Sequence, residues 1–250
     1  MDRILYTAMS GAKQSMDQQA VVSHNLSNVS TSGFRAQLHA MRAVPVQGDG
    51  LPTRVSVAAS TPGSDFSAGP ITRTGRGLDV AMEGGAWLAV QAPDGTEAYT
   101  RRGDLEVDGD GLVTVLGRPV IGEGGPIIVP LGSSVSVGAD GTLSAIGEGE
   151  GPEALVDVGR LKLVTPEQTL QRGDDGLFRL PPNAEGEVAA LQADENARVA
   201  SGALEGSNVS AVEAMVAMID VGRRYEMQMK VISTADENAQ RANNLLSLQG

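Results

Sequence analysis

Cysteine is absent from the 250-residue chain, so no disulfide staples the fold and no thiolate is available as a nucleophile or metal ligand. A cysteine-free chain is compatible with an oxidising compartment without being assigned to one. Histidine is scarce: His24 and His39 are the only two, and neither Asp17 nor Asp49 stands at a spacing from them that zinc would use. A serine hydrolase would need a Gly-x-Ser-x-Gly elbow followed by a histidine, and the chain has no such elbow. Gly75-Arg-Gly77 and Gly122-Glu-Gly-Gly125 are glycine-rich, but neither leads into a helical pattern or carries the Walker lysine, so both read as loops. The Asp-Gly pairs beginning at 94, 108, 110, 140 and 175 lack the length and terminal glutamate of a calcium loop and read as hairpin turns. No enzyme class survives this pass, and no catalytic residue, metal or cofactor is expected.

Long apolar runs are also missing. No stretch of about 18 apolar residues occurs, so no spanning helix is expected. Asp2 and Arg3 are not followed by an apolar run of roughly 7–15 residues, so the start is not a conventional secretory leader. Positive charge is in deficit. The formal net charge is -12, which argues against nucleic acid or an anionic membrane surface as partner. Residues 1–50 carry four Lys/Arg against three Asp/Glu and residues 201–250 carry four against six, leaving 11 basic and 22 acidic groups for the middle 150. Near-neutral ends and an acidic middle suit a solvated body whose ends are buried in something else.

What is present is concentrated at the two ends. From Ser210 to about Leu248 there is no proline, and Met215, Met218, Gly222, Tyr225, Met229, Ile232, Asp236, Ala239, Asn243 and Leu246 follow one another in steps of three and four. Ser210 with Glu213 reads as a capping box, and a helix of roughly 35 residues, about 50 Å long, is expected. The methionines at 215, 218, 227 and 229 favour packing between molecules, because so long a helix exceeds what the N-terminal segment can cover. Leu5, Ala8, Ala12, Ser15, Gln19, Val22, Leu26 and Val29 repeat the same period near the N-terminus, with Gly11 as the weak point of that helix. The two helices can bury their stripes on each other, but small and polar seam residues call for further partners. The first helix should end within Asn25–Phe34, where Phe34 is expected to anchor the chain back against it.

Between the helices the period changes. Leu38, Met41 and Val44 fit a short helical continuation or a strand, Val46–Pro52 a loop, and Arg54–Ala58 a strand. Short strands follow at 78–82, 86–92, 98–101, 105–107, 112–116, 127–129, 135–137, 143–145, 160–164 and 177–179, punctuated by turn residues. Arg101 and Arg102, beside Tyr99, read either as an interface or as a solvated strand end. Residues 180–208 are expected to leave this body without forming a helix. The fold class is α+β: long N- and C-terminal helices forming a coiled-coil stalk, with an irregular antiparallel all-β central body. The expected divisions are a stalk helix and turn over 1–36, an extended connector with short strands over 37–77, the β body over 78–200, and a lead-in segment with the long stalk helix over 201–250.

The run Asn25-Leu-Ser-Asn-Val-Ser-Thr-Ser-Gly-Phe-Arg35 resembles the N-terminal signature of bacterial flagellar rod and hook proteins, Asn-x-Ala-Asn-x-x-Thr-x-Gly-Phe-Lys/Arg, with Ser27 in place of the alanine. Glu205-Gly-Ser-Asn-Val209, followed by a helix holding Arg224-Tyr-Glu226 and ending near Asn243-Asn-Leu-Leu246, is similar to the second signature of that family. Tyr6-Thr-Ala-Met9, the run Ala36–Val46, Arg76-Gly-Leu-Asp-Val80 and Arg172–Arg179 most resemble proximal-rod members, while distal-rod members share both signatures and the central body.

The resemblance implies a structural subunit of the flagellar rod, exported through the flagellar type III apparatus without a cleaved leader. It would assemble in the periplasm with copies of itself and with other rod proteins, helices inward and β body outward, into a shaft that transmits torque. A distal-rod or hook-family axial protein is the alternative, and a secreted β-rich adhesin a more distant one. The candidate assembly residues are Leu5, Ala8, Ala12, Val22, Asn25, Leu26, Asn28, Thr31, Gly33 and Phe34 at the N-terminal end. At the C-terminal end they are Asn208, Met215, Met218, Tyr225, Met229, Ile232, Asn243 and Leu246. Replacing Leu26 or Ile232 by Asp is expected to spare the β body and to block incorporation.

Overall fold

The protein is represented by a computed structural model that describes residues 2–45, 55–149, 152–183 and 188–247. The expected loop Val46–Pro52 and the residue Arg54 lie outside the described residues. The chain divides into two compact units: one collects the described parts of Met1–Val29, Ala36–Asp65 and Val209–Gly250, the other those of Ser30–Arg35 and Phe66–Asn208.

The first unit holds both helices, α1 (Asp2–Ser27) and α2 (Ala211–Ser247). The N-terminus of α2 is capped as its sequence predicts, with the Ser210 hydroxyl accepting the Glu213 N–H at 3.3 Å. At the end of α1, Asn28 donates its side-chain amide to the His24 carbonyl at 2.8 Å, and its backbone N–H reaches the Asn25 carbonyl at 3.1 Å. Carbonyls of the last turn are thereby satisfied. The helices pack together along their lengths. They run antiparallel: Ile4 lies beside Met227 and Val231, Gly11 beside Gln228, and Ser15–Ser23 beside Met218–Tyr225. Gly11 is therefore a point of close approach, since a Cβ there would stand 2.9 Å from the Gln228 amide.

The segment after α1 is a strand. β1 (Gln37–Pro45) pairs antiparallel with β2 (Val55–Ser64), from Gln37 opposite Ser64 to Pro45 opposite Val55, with a register shift between Leu38 and Ala40. α1 packs on this hairpin as well as on α2. The Ser10 hydroxyl meets the Ser56 hydroxyl at 3.1 Å, and Asn25 both donates to the Gln37 carbonyl and accepts the Gln37 N–H, each at 2.9 Å. One asparagine thus fixes where β1 begins.

The second unit is the irregular antiparallel β body. Its largest sheet has five strands in the order Leu163–Val164, Trp87–Gln91, Glu97–Thr100, Phe178–Arg179 and Gln171–Arg172. Ser134–Val137, Thr142–Ile146 and Val156–Arg160 form a second sheet, and Glu106–Val107, Val113–Val115 and Arg118–Pro119 a third. Leu88, Val90, Leu105, Val113, Val120, Leu143 and Leu161 fill the main core, and Trp87, Tyr99, Leu170 and Phe178 form a smaller aromatic cluster.

Two expectations need correction. Residues 127–129 are not a strand: Pro126 and Pro130 bracket them and remove ladder donors, leaving isolated bonds such as Val129 N–H to the Gly111 carbonyl at 2.8 Å. Residues 180–208 do not simply leave the body. Val199–Ser201 pairs with Val80–Met82, and Ala203–Glu205 pairs with Ile71–Arg73.

Candidate assembly surface and signature junction

The two signature segments meet within the second unit. Gly33 donates its N–H to the Glu205 carbonyl at 2.7 Å, and Asn208 donates its own to the Phe34 carbonyl at 3.3 Å. The Asn208 side chain adds a bond to the Ser67 carbonyl at 3.1 Å. Gly33 has a φ of +66°, and a Cβ there would come within 2.4 Å of the Arg101 backbone. Glycine is needed for both reasons. Thr31 accepts the Phe34 N–H through its carbonyl at 3.3 Å, closing the turn. Phe34 belongs to the unit that holds the β body, where it is buried and the Arg172 guanidinium lies 4.7 Å from its ring centre.

Beneath the turn lies a buried ion cluster. Arg35, Arg101 and Glu205 are 2%, 3% and 1% exposed. Glu205 Oε1 accepts from Arg35 Nη2 at 2.7 Å and from the Gly69 N–H at 2.9 Å. Its Oε2 accepts from Arg101 Nε at 2.7 Å and lies 2.6 Å from Arg101 Nη2. Arg101 also donates to the carbonyls of Met82, Gly84 and Ala86. Burial pulls the Arg101 guanidinium below the usual arginine range, Glu205 opposes that pull, and the charge of Arg35 adds to it. Arg101 is therefore neither a solvated strand end nor an exposed interface residue. Arg35 and Glu205 are 170 positions apart and were visible in the sequence only as members of separate motifs, while nothing in the sequence marked Arg101 as their partner.

On the helix pair, every seam position expected on α1 is buried or half-buried: Leu5, Ala8, Ala12, Ser15, Gln19, Val22, Leu26 and Val29. On α2 the expected seam holds in part, at Met218, Gly222, Tyr225, Ile232 and Ala239, and is one residue off elsewhere. Ala214, Met218, Val221, Tyr225, Gln228, Ile232, Ala235, Ala239 and Ala242 are buried or half-buried, whereas Met215, Met229, Asp236 and Asn243 are exposed. The large apolar methionines drew the expected seam, but the small residues Gly11 and Ser15 of α1 let Gln228 and Tyr225 of α2 come close instead. Leu246 lies on α2, and its side chain is outside the described residues.

Apolar side chains remain exposed on both helices. Val212, Val216, Ile219, Met227 and Val231 are exposed, as are Ile4, Tyr6, Met9 and Met16 on α1. Two hollows open along the pair: one of about 580 Å³ lined by Met16, Ala20, Met218, Val221 and Tyr225, and one of about 520 Å³ lined by Ile4, Met227, Val231 and Ala235. Exposed apolar side chains on both helices of the pair call for more cover than each helix gives the other. Among the described residues no group of three or more His, Cys, Asp or Glu could hold a metal ion, and no helix is long and apolar enough to cross a membrane.

Comparison with known proteins matches three family descriptions along the chain. Residues 5–35 match "Flagella basal body rod protein", residues 81–145 "Flagellar hook protein FlgE/F/G D1 domain", and residues 200–245 "Flagellar basal body rod FlgEFG protein C-terminal". The flagellar basal-body rod protein FlgF of Salmonella typhimurium is 56% identical, over 99% of this chain and 100% of its own length. The chain belongs to the flagellar basal-body rod protein family. The FlgF protein of Escherichia coli is 55% identical over the same shares, and the FlgG rod protein of Borreliella burgdorferi 32% identical over 98% of this chain and 99% of its own. The first and last matches of this rod family cover α1 with its turn and α2 with its lead-in, so both contributors to the junction lie in regions that define the family.

Proposed function

We propose that this chain is a structural subunit of the proximal flagellar rod, polymerising in the periplasm with copies of itself and with other rod proteins into the shaft that carries torque from motor to hook. The observation that carries the reading is the helix pair, which closes one face internally and leaves a second, with Val212, Val216 and Ile219 of α2, exposed. A heterologous, head-to-tail use of that second face generates an open filament, not a closed dimer. The proximal assignment rests on identity: 56% and 55% to two FlgF proteins against 32% to a FlgG protein of the rod family. Passage through the flagellar type III export apparatus belongs to the same proposal.

Leu26 and Ile232 are half-buried, so an Asp at either would disturb the helix pair as well as assembly. Exposed positions test the reading more cleanly. Ile219→Asp and Val216→Asp should leave the thermal melting of the monomer within a few degrees of the parent while abolishing motility and recovery of the protein in isolated basal bodies. Normal motility for both variants would refute the assembly role of this face.

A further inference from the structure

Beside the signature junction is a pocket of about 290 Å³ whose inner wall carries Arg35 and Arg101 and whose sides include Phe66 and Trp87. The cluster behind it holds two guanidiniums against one carboxylate. Glu205 has no capacity left, because Oε1 is taken by Arg35 and Gly69 and Oε2 by two nitrogens of Arg101. Arg101 is likewise committed through all three nitrogens. Arg35 is not: Nε and Nη1 are buried and have no hydrogen-bond partner among the described residues. Both guanidinium carbons stand 6.0 Å from the Trp87 ring centre, the outer limit of useful cation–π attraction, so the indole compensates little of the excess charge. A buried arginine that shares one carboxylate with a second arginine and keeps two free donors is costly unless a further anion reaches it.

We infer that this pocket is a binding site for a carboxylate carried on an apolar stem. The carboxylate supplies the acceptor that Arg35 lacks and neutralises the excess positive charge. The stem lies against Phe66 and Trp87, whose ring centroids are 5.8 Å apart in an edge-on arrangement. Glu167, exposed at the mouth, opposes the ligand as a like charge. Such a carboxylate can come from a free small acid or from an acidic side chain of another copy of this chain.

Trp87 is the only tryptophan, so emission of the full-length protein excited where tyrosine does not absorb reports this pocket. Titration with phenylacetate should give a saturable change in emission, while phenylacetamide and sodium chloride at matched ionic strength should give none. No saturable change, or an equal response to the amide or to salt, overturns the assignment. Arg35→Lys should weaken phenylacetate binding by about tenfold or more, since the lysine offers one compact charge where the guanidinium offered several directed donors. Because that substitution can perturb folding, Glu167→Gln provides a second measure: removal of the like charge at the mouth should tighten binding severalfold, and equal or weaker binding overturns the assignment. Raising the protein concentration separates the sources. An emission change that grows with concentration and is reversed by phenylacetate assigns the carboxylate to another copy, and its absence alongside saturable phenylacetate binding assigns a free acid.

Discussion

Glu205 has two oxygens and spends both on the closure of one small region: the two arginines from distant parts of the chain and the N–H of Gly69 converge on them. Its own backbone carbonyl holds Gly33. Removing the charge while keeping the shape leaves Arg35 and Arg101 buried without a counter-ion, and losing one member of a buried pair costs about 3–5 kcal/mol. Glu205→Gln should lower stability by that amount in urea denaturation followed by Trp87 emission. Glu237→Gln, which removes the same charge from an exposed pair with Arg241, should cost under about 0.5 kcal/mol. Equal effects would mean that the buried cluster contributes no more than a surface pair. Gly33 and the asparagines were legible as turn formers because their chemistry is local. The ion cluster was not, because its three members come from separate parts of the chain and a single sequence carries no signal coupling them.

At the scale of elements, the existence, length and mutual packing of α1 and α2 were readable from period and capping, and the short strands from their turn residues. The face of α2 was legible at Met218, Gly222, Tyr225, Ile232 and Ala239 but one residue off at Met215, Met229, Asp236 and Asn243, because hydrophobicity marks which residues avoid water, not which neighbour covers them. Val221 and Met215 separate these meanings. Val221→Ala should cost about 2 kcal/mol in helix melting, by lost burial and an unfilled space. Met215→Ala should change melting by no more than about 0.5 kcal/mol while reducing motility, since its side chain is free in the monomer. The reverse order would restore the original seam.

The β body should also show its construction in its pH response. Hydrogen bonds from Thr96, Thr142 and Thr165 hold Asp94, Asp140 and Asp194 below the usual aspartate range, and the bond from Arg179 does the same for Asp175. These carboxylates are easier to protonate in the unfolded chain. Their stabilisation is therefore complete above about pH 4 and is lost as the pH falls through the depressed folded values. Burial pushes the Tyr99 hydroxyl up, its bond to the Leu191 N–H opposing and Glu97 adding to the shift. Stability should thus hold up to about pH 10 and decline above it, as the unfolded chain ionises tyrosine first. Equilibrium denaturation across this range checks both limbs, and Asp175→Asn should make the acid limb shallower.

At the scale of the whole molecule, the chain passes between its two units at residues 29–30, 35–36, 65–66 and 208–209, so neither unit is a single continuous segment. The connector expected over 37–77 is shared between them, because β1 and β2 complete the helical unit while Ile71–Arg73 pairs with Ala203–Glu205. α2 has 37 residues and α1 has 26, a difference of about 16 Å at 1.5 Å per residue. The start of α2 is matched to the end of α1, since Ser23 and Met218 line one hollow, so the surplus falls past Asn238, which shares its hollow with Ile4. Residues 239–247, about two and a half turns of helix, therefore extend beyond what α1 can cover. A self-contained protein gains nothing from them, whereas a subunit in a filament can use them to reach the next. Deleting residues 239–250 should leave the melting temperature within a few degrees of the full-length protein, with Trp87 emission unchanged, and should abolish motility in a strain lacking its own copy. A truncated protein that still restored swimming would show that the overhang is dispensable and that the exposed band on Val212–Val231 suffices for assembly.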